Sequence, residues 1–453
     1  MIDKALDKAI EEFQQKYDIP GMAIQAVQAG EKVYEKYLGY QDVANKVDVG
    51  TETIFGVASL TKSVAALAIL LLEEDGVLKV EDEVTTWLPE LTAVQAHTTI
   101  HHLLTHTAGY PGLMSFHAAR YPSIRADEDG RYLFGKVPES VEDVVTVEDM
   151  IEDMNQTEFT FIAAPGEIFN YSNESYGLLQ AIVERGSGQS FEELVQERIF
   201  RPLQMSSAVF RLKDIPKKEN CTEIYAYTKD EDRTVFHSPA WWASGEIFAP
   251  GALKANITDM MNYVTMLCNH GTFDGKSIIS QASIEKMFTS YIMTPHGVQY
   301  GYGMLMGEMS GRKLVGHGGG IKGISSFMLI DQAKELAITV LTNIAEVPTE
   351  MIAVTVWEHL LQEGPNHEEV SYTKQATQGY QGIYESGEGQ AIDVKAHQDG
   401  LQLTIAHEQL IAKQIDDHLF QLPDGKKIAF VLDGAEKVKG MHRGMRYLRK
   451  VSK

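Results

Sequence analysis

Strand-like segments lie at both ends of the first 362 residues, and helical segments fill most of the sequence between them. GMAIQAVQAGEKVYEKYLGY (residues 21–40) predicts two strands joined by a turn at Ala29–Gly30. KLVGHGG, ISSFMLID and ELAITVLTN, within residues 313–343, predict three more strands. This arrangement predicts an α+β fold, in which the two halves of the chain close one antiparallel sheet flanked by helices.

A polar segment separates this part from a different C-terminal one. EGPNHEEVSYTKQATQ, residues 363–378, lacks an apolar period and is interpreted as a linker. Beyond it, YQGIYES, AIDVKAH, LQLTIAH, HLFQLP and KIAFVLD predict a small antiparallel β-barrel or sandwich over residues 379–453. That segment has 11 basic and 10 acidic residues, a net charge of +1, so the preceding residues carry −24 of the total of −23. The shift in charge supports a domain boundary.

Charge and apolar pattern argue against several classes of function. With 40 Lys and Arg against 63 Asp and Glu, nucleic acid and anionic membranes are disfavoured as partners. The longest apolar run, Val64–Leu72, is far shorter than the roughly 20 residues of a membrane span. The two cysteines, Cys221 and Cys268, are far apart, which fits a reducing compartment. Because the sequence starts with an acidic amphipathic helix, we expect a cytoplasmic protein.

The glycine run in LVGHGGGIKGISSFMLID contains G-x-G-x-x-G at Gly318, Gly320 and Gly323. A dinucleotide loop follows a strand and begins a helix, whose N-terminal N–H groups hold the pyrophosphate. Here the last glycine precedes ISSFMLID, which predicts a strand. We therefore exclude a nucleotide site.

Signals for other chemistries are incomplete. GTFDGKS (residues 271–277) has one residue too few between its glycines for a phosphate loop. His102 and His106 lack the H-E-x-x-H pattern of a zinc site and are interpreted as loop and core residues. G-x-S-x-G, the nucleophile motif of α/β-hydrolases, is absent. We expect neither a metal nor a cofactor.

FGVASLTKSVAALAILLLEEDG places a serine and a lysine one helical turn apart. Ser59 and Lys62 stand at i and i+3, at the start of an apolar helix that ends near Gly76. An amine there can take the hydroxyl proton if burial or a nearby positive charge keeps its pKa down. S-x-x-K also occurs at residues 283–286 and 371–374. Only Ser59 begins a long apolar helix, which can hold a nucleophile rigidly.

FNYSNESYGLL contains the one Y-x-N of the chain, Tyr171-Ser172-Asn173. A phenol can pass a proton between a serine and a leaving group, and an amide can hold both a lysine and a substrate carbonyl. By itself, however, this motif is more typical of a loop that turns into a helix.

The three motifs S-x-x-K, Y-x-N and H-x-G follow in order at residues 59–62, 171–173 and 317–319. This order resembles the serine β-lactamase and penicillin-binding-protein superfamily, in particular its class C β-lactamase, DD-peptidase and esterase branch. TIHHLLTHTAGYPG, APGALKANITDMMNYV and YGYGMLM are similar to that branch as well, so the resemblance covers roughly residues 1–362. The C-terminal part resembles the lipocalin-like β-domain of many proteins in this branch.

The resemblance implies an inserted helical domain, with the active site between it and the sheet. It makes Ser59 the nucleophile, Lys62 and Tyr171 the residues that handle protons, and Asn173 a positioning residue. By analogy, the backbone N–H groups of Ser59 and Gly320 form the oxyanion hole.

The resemblance makes the third motif a strand edge along which substrate lies, formed by His317, Gly318, Gly319 and Gly320. Many β-lactamases and penicillin targets have K-T-G there, and its lysine helps to hold a substrate carboxylate. A histidine is neutral for much of the time near pH 7. This difference argues against efficient β-lactam hydrolysis.

We therefore expect a metal-free serine hydrolase that cleaves amides or esters, D-amino-acid peptides among the candidates, through an acyl-enzyme on Ser59. Its partner would be a small-molecule or short-peptide substrate. β-Lactamase or penicillin-binding activity is one alternative. A catalytically silent relative that binds a ligand or partner in the same cleft is another. The sequence leaves open whether the chain forms a homo-oligomer.

Overall fold

The computed structural model describes residues 4–451 except 136, 139–143, 231, 296, 364–376, 389–390, 406–407, 424 and 434. Most of the predicted linker, residues 363–378, lies outside the described residues. Its last two residues begin the 3₁₀ turn Thr377–Tyr380. No helix in the described part of the chain is both long and apolar enough to cross a membrane.

Among the described residues, the central sheet has nine strands, and all neighbours in it are antiparallel. In spatial order they are Ile292–Met293, Gln299–Tyr300, Leu305–Met309, Arg312–Ile321, Ile324–Asp331, Leu336–Thr342, Gly21–Gln28, Glu31–Asp42 and Val47–Asp48. The first strand of the chain, Gly21–Gln28, pairs with Leu336–Thr342, so the two halves of the chain close one sheet. The five predicted strands and the antiparallel arrangement are confirmed.

Helices cover both faces of this sheet. Two helices, Lys4–Lys16 and Thr349–Leu361, lie on one face of the sheet and share an apolar core with it. Ile257–Cys268 packs on the opposite face, where Thr61–Glu74 joins the largest apolar core. Every residue from Thr61 to Leu72 is buried. A helix that is apolar on all sides lies inside a protein, and this one holds the first motif at the centre of the fold.

A helical region is inserted between the strand Ile54–Gly56 and its partner Lys254–Asn256. Besides Thr61–Glu74, its helices are Val84–Trp87, Ile100–Leu104, Ser115–Ala118, Tyr121–Ala126, Gly130–Leu133, Val147–Gln156, Asn173–Ser187 and Phe191–Val195. A short hairpin, Tyr225–Tyr227 with Val235–His237, completes the insertion. After it come the helix Gln281–Met287 and the hairpin of Thr272–Phe273 with Lys276–Ser277. The predicted fold class is confirmed.

The C-terminal strands form a closed antiparallel barrel, which decides between the barrel and the sandwich. They are Gly382–Glu385, Ile392–His397, Gly400–Ile405, Glu408–Asp416, Leu419–Gln421, Lys427–Leu432, Val438–Arg443 and Arg446–Val451. The five predicted runs correspond to strands. Three strands were missed, Glu408–Asp416 and the last two. The last two contain basic residues at several positions, which obscure the apolar alternation in the sequence.

Candidate active site

Ser59 lies in a tight turn at the entrance to the central helix. The 3₁₀ turn Ala58–Leu60 leads directly into Thr61–Glu74. Ala58 has a φ of 47°, in the left-handed region that non-glycine residues rarely adopt. The Thr61 hydroxyl donates a hydrogen bond of 2.6 Å to the Ala58 carbonyl oxygen. Strained backbone of this kind concentrates at functional sites, and here it turns a partly exposed serine out of a buried helix.

The Lys62 amine is fully buried and lies among three oxygen atoms. Its Nζ is 2.8 Å from Asn173 Oδ1, 2.6 Å from the Pro250 carbonyl oxygen and 3.4 Å from Ser59 Oγ. The S-x-x-K and Y-x-N motifs therefore meet at this atom, as the resemblance implies. Pro250 was not foreseen, because its contribution is a backbone carbonyl that no sequence motif marks.

Burial lowers the pKa of Lys62 well below its usual value, and the charges of Arg446 and Arg120 lower it further. Both effects favour the neutral form of the amine. A neutral amine has two N–H donors and one lone pair. The amide oxygen of Asn173 and the carbonyl of Pro250 accept the two N–H bonds, which leaves the lone pair for the Ser59 hydroxyl.

The loop that carries Tyr171 is fixed by hydrogen bonds on both sides of the tyrosine. Asn170 Nδ2 donates to the Tyr110 carbonyl oxygen at 2.7 Å. The Ser172 N–H donates to His106 Nδ1 at 3.1 Å, and the Ser172 hydroxyl caps the helix Asn173–Ser187. The Tyr171 ring packs against the imidazole of His106 in a tilted arrangement, with 4.3 Å between ring centres. The phenol is thus held in place without using its hydroxyl.

Burial raises the pKa of Tyr171 to about 12, although a hydrogen bond to Ser59 and the nearby Arg446 charge act in the opposite direction. The phenol is therefore protonated at neutral pH. The protonated phenol and the Lys62 amine, whose neutral form is favoured by burial, face the same serine hydroxyl. This combination can accept a proton at one atom and deliver one at the other.

The barrel contacts the Tyr171 loop directly. The Tyr171 N–H donates to the Met445 carbonyl oxygen at 3.1 Å, and the Tyr447 N–H donates to Asn170 Oδ1 at 2.8 Å. His442 Nε2 lies 2.8 Å from the Phe169 carbonyl oxygen. These contacts join two segments more than 270 residues apart, so sequence reasoning could not have found them.

The strand Arg312–Ile321 brings the third motif beside the serine turn. A side chain at Gly319 would overlap the Val57 carbonyl oxygen and the Ser326 hydroxyl, so strand and turn are in close contact. The Ser326 hydroxyl also donates to the Val57 carbonyl oxygen, at 2.8 Å. The glycine run therefore allows two backbone segments to approach each other.

Replacing Gly319 by alanine is expected to lower the free energy of unfolding by roughly 1–3 kcal/mol. The added methyl group would overlap its neighbours, and the backbone or side chains around it would have to move. At Gly320, a Cβ would meet no described atom within 4 Å, so Gly320→Ala is the matched control and should change stability little. Thermal and denaturant unfolding of both variants measure the difference. Equal losses in the two would mean that the close contact at position 319 is not what requires glycine.

His317 is buried, and both nitrogens of its ring have partners within the protein. Its Nδ1 lies 2.6 Å from the Gly318 carbonyl oxygen, and its Nε2 lies 3.3 Å from the Tyr300 hydroxyl. Burial lowers the pKa of His317 to about 4, and the neighbouring Lys62 contributes. The third motif therefore carries no charge at neutral pH.

Four further polar side chains lie around this cluster, and sequence reasoning did not single them out. They are Arg120 and Glu174 of the helical region, and Glu388 and Arg446 of the barrel. Glu174 is buried, accepts the Phe116 N–H at 3.1 Å, and has a pKa raised mainly by burial. The sequence could have identified Glu174, because it follows Asn173 directly and is a charged residue in the first turn of an otherwise buried helix. The barrel residues carried no comparable signal.

Comparison with known families identifies the family to which this chain belongs. The Beta-lactamase family matches residues 6–360, which is most of the chain. The chain belongs to the beta-lactamase family. Penicillin-binding protein 4* of Bacillus subtilis (strain 168) is 26% identical over 370 residues, which cover 79% of this chain and 76% of that protein. The predicted resemblance is confirmed.

Solved structures extend the comparison beyond the family domain. The octameric penicillin-binding protein homologue from Pyrococcus abyssi has a TM-score of 0.72 and 28% identity, and the match covers 99% of this chain and 100% of that one. This match includes the barrel. A D-stereospecific amidohydrolase from Streptomyces sp. shares the fold at a TM-score of 0.62 and 21% identity, over 78% of this chain and 97% of that one. This member of the beta-lactamase family is thus an enzyme of the serine hydrolase type.

Proposed function

We propose that this member of the beta-lactamase family cleaves amides or esters through an acyl-enzyme on Ser59. One observation carries the proposal. Lys62 Nζ donates to the amide oxygen of Asn173 and to the carbonyl oxygen of Pro250, and its lone pair then faces the Ser59 hydroxyl. A neutral amine in that position is a general base for the serine, and the lowered pKa of Lys62 favours this unprotonated form.

The reaction follows from the protonation states. Lys62 takes the Ser59 proton as the oxygen attacks the substrate carbonyl. Tyr171, protonated at neutral pH, delivers its proton to the leaving group and regains one from the Lys62 ammonium, whose Nζ lies 4.7 Å from the centre of the Tyr171 ring. Water then adds to the acyl-enzyme and gives a proton to Lys62, and that proton returns to the Ser59 oxygen as the acid product leaves. The N–H groups of Ser59 and Gly320 stabilise the oxyanion, at roughly 3–4 kcal/mol for each donor in other hydrolases. The Nζ–Oγ distance of 3.4 Å is long for a hydrogen bond, and such contacts often tighten only when substrate binds.

Substrate class follows from the third motif and from the relatives. Since His317 is neutral, the strand edge Gly318–Gly320 offers backbone groups and no charge. This feature favours amides and esters over β-lactam antibiotics, although penicillin-binding relatives keep β-lactams as the second candidate. The D-stereospecific amidohydrolase with the same fold supports D-amino-acid derivatives as substrates.

We further propose that residues 1–362 form the catalytic domain, residues 363–378 the connection, and residues 379–453 a lipocalin-like domain. The barrel has an apolar core of its own, which supports this division. The octameric homologue supports assembly of this chain into a homo-oligomer. The free thiols of Cys221 and Cys268 support a reducing compartment such as the cytoplasm.

The function is tested with a panel of p-nitrophenyl esters, D- and L-aminoacyl anilides and nitrocefin, and by labelling with a fluorophosphonate. Turnover of esters and anilides with a preference for D-aminoacyl groups is the expected result. Faster hydrolysis of nitrocefin than of any ester would instead establish the β-lactamase alternative. Absence of both turnover and labelling would establish a silent, ligand-binding relative.

Tyr171→Phe separates proton transfer from binding. The substitution removes the hydroxyl and keeps the ring that packs on His106. We expect kcat to fall by roughly 10²–10³ with little change in KM, because proton transfer to the leaving group is lost. Steady-state kinetics on an anilide and on an ester measure it, and the anilide should lose more because an amine leaves less easily. An unchanged kcat on both would show that Tyr171 is only structural.

A further inference from the structure

The end of the third motif has a neighbouring strand on one side only. Arg312–Ile321 pairs with Ile324–Asp331 along its whole final part. On the other edge, pairing with Leu305–Met309 ends at Gly316 in the part of the chain that the structure describes. The segment beyond includes the glycines at 318–320, and glycine has more backbone freedom than any other residue. The position of the proposed oxyanion donor, the N–H of residue 320, therefore needs a further constraint.

Lys322 supplies such a constraint two residues after Gly320. It lies in the turn that follows the strand Arg312–Ile321, and its side chain is only 2% exposed. Its Nζ forms an ion pair with Asp127 Oδ2 and donates to the Ala240 carbonyl oxygen at 2.9 Å. Lysine is almost never fully buried unless it is paired. The turn is therefore fixed from inside the protein by these two partners.

Asp127 connects this turn to two other segments of the protein. It comes directly after the helix Tyr121–Ala126, and its side chain is also 2% exposed. Besides the lysine, its Oδ2 accepts the Trp242 Nε1–H at 2.8 Å, and its Oδ1 accepts the Asp129 N–H at 3.0 Å. One buried carboxylate therefore holds together the end of the third motif, the loop of Trp242 and the helical region.

The helical region and the Trp242 loop are also bonded to each other without Lys322. The Ser123 hydroxyl donates to the Ala243 carbonyl oxygen at 3.1 Å and accepts the Ala243 N–H at 3.0 Å. The Ser238 hydroxyl donates to Asp129 Oδ2 at 2.5 Å. Because both segments are anchored in this way, the ion pair attaches the end of the third motif to a fixed frame.

The energetics of a buried ion pair indicate a role in geometry more than in stability. Removing two charges from water costs about as much as their attraction returns, so an uncharged pair of similar size is often equally stable. A displacement of either segment, however, would leave a buried charge without its partner, which is strongly unfavourable. An oxyanion hole benefits from this restriction, since its donors act only when held at hydrogen-bonding distance from the developing charge.

We propose that the ion pair of Asp127 and Lys322 is a positioning device that holds the Gly320 N–H in the oxyanion hole. This inference rests on the proposed acyl-enzyme function and on the donor role of Gly320. Both charged side chains are 2% exposed, so they act through the backbone and do not reach substrate. A Cβ at Gly320 would meet no described atom within 4 Å, which leaves room for substrate beside the donor. Loss of the pair should weaken stabilisation of the oxyanion and leave substrate binding almost unchanged.

The test replaces both charges at once, because removal of one would leave the other buried and unpaired. In the full-length protein, Asp127→Asn combined with Lys322→Met keeps similar volumes, and the asparagine oxygen can still accept from Trp242. Unfolding should stay close to that of wild type. On an N-acetyl-D-alanyl p-nitrophenyl ester, kcat should fall roughly 10- to 100-fold with little change in KM, which is less than the roughly 10²–10³-fold for complete removal of a donor.

Glu346→Gln is the matched control. Glu346 lines the same cavity as Lys322, but its ion pair with Arg233 is exposed, so its removal should change neither kcat nor unfolding.

Infrared spectroscopy measures the oxyanion hole directly. The ester carries an isotope label at its carbonyl carbon, so that a difference spectrum of the acyl-enzyme isolates one band. Hydrogen bonds to a carbonyl oxygen weaken the C=O bond and lower its stretching frequency. The band of the double variant should therefore lie at a higher wavenumber than that of wild type, and the band of Glu346→Gln should not move.

A wild-type kcat or a wild-type band in the double variant overturns the proposal. A lower kcat that accompanies lower stability, with the band unmoved, means that the pair only supports the fold. Should the double variant not fold, Asp127→Glu keeps the pair and lengthens the link by one methylene group. A lower kcat and a band at higher wavenumber are then still expected, and a wild-type band overturns the proposal. If wild type forms no acyl-enzyme by infrared or mass spectrometry, the proposed function itself fails.

Discussion

Replacing Ser59 by alanine is expected to abolish acylation and to lower kcat by roughly 10⁴-fold or more, as loss of a nucleophile does in other serine hydrolases. The loss is so large because no other group can form the covalent intermediate at this position. Fluorophosphonate labelling and steady-state ester hydrolysis measure it. Since Ser59 bonds only within the site, unfolding of the variant should remain close to that of wild type.

Ser283→Ala is the matched control, because Ser283 and Lys286 form a second S-x-x-K in the same protein. Their surroundings differ from those of Ser59. The Ser283 hydroxyl donates to Glu74 Oε1 at 2.5 Å, and Lys286 Nζ pairs with Glu73 at 2.8 Å. This serine hydroxyl therefore donates to a carboxylate and not to the lysine, and the lysine amine is occupied by an ion pair. Comparable activity losses in Ser59→Ala and Ser283→Ala would overturn the assignment of the nucleophile.

Lys62→Met is expected to lower kcat on the order of 10⁴-fold, because losing the base disables the nucleophile as well. Methionine has a similar length, and it keeps the site filled. It leaves Asn173 Oδ1 and the Pro250 carbonyl oxygen without their donor, so some stability is lost too. Thermal unfolding therefore accompanies the kinetics, with Lys286→Met as the control for removal of a lysine from the S-x-x-K at residues 283–286.

The pH profile of wild type provides an independent test of the same residue. A base acts only when unprotonated, and the pKa of Lys62 is well below its usual 10.5. The value of kcat/KM should therefore reach its plateau well below pH 10.5 and fall as the pH drops through that lowered pKa. A rate that keeps rising with pH up to about 10.5 would mean that the buried amine is charged in the resting enzyme.

Sequence motifs and apolar periodicity were sufficient to predict much of the fold and of the candidate site of this protein. The long strands of the central sheet have a clear apolar pattern, and the apolar helix after Ser59 identifies the first motif. The structure brings Lys62, Tyr171 and Asn173 together as the resemblance implied. Short edge strands such as Ile292–Met293 were missed, because two residues contain no readable period.

Other features depend on tertiary contacts that a sequence does not display. The left-handed conformation of Ala58 is imposed by its surroundings, since alanine has no local preference for it. The depressed pKa of Lys62 results from burial and from the nearby arginines. The barrel looked like a separate module in the sequence, whereas Met445 and Arg446 contact the Tyr171 loop. Contacts between the barrel and a loop so far away in the chain cannot be read from a local sequence pattern.

The most direct test of this account is to trap the covalent intermediate. The full-length protein is mixed with a D-aminoacyl ester, quenched in acid within the turnover time, and digested for mass spectrometry. The account predicts an acyl group on the peptide that contains Ser59, and more of it in Tyr171→Phe if that variant deacylates more slowly. An acyl group on another residue, or rapid ester turnover with an unmodified Ser59, would contradict it.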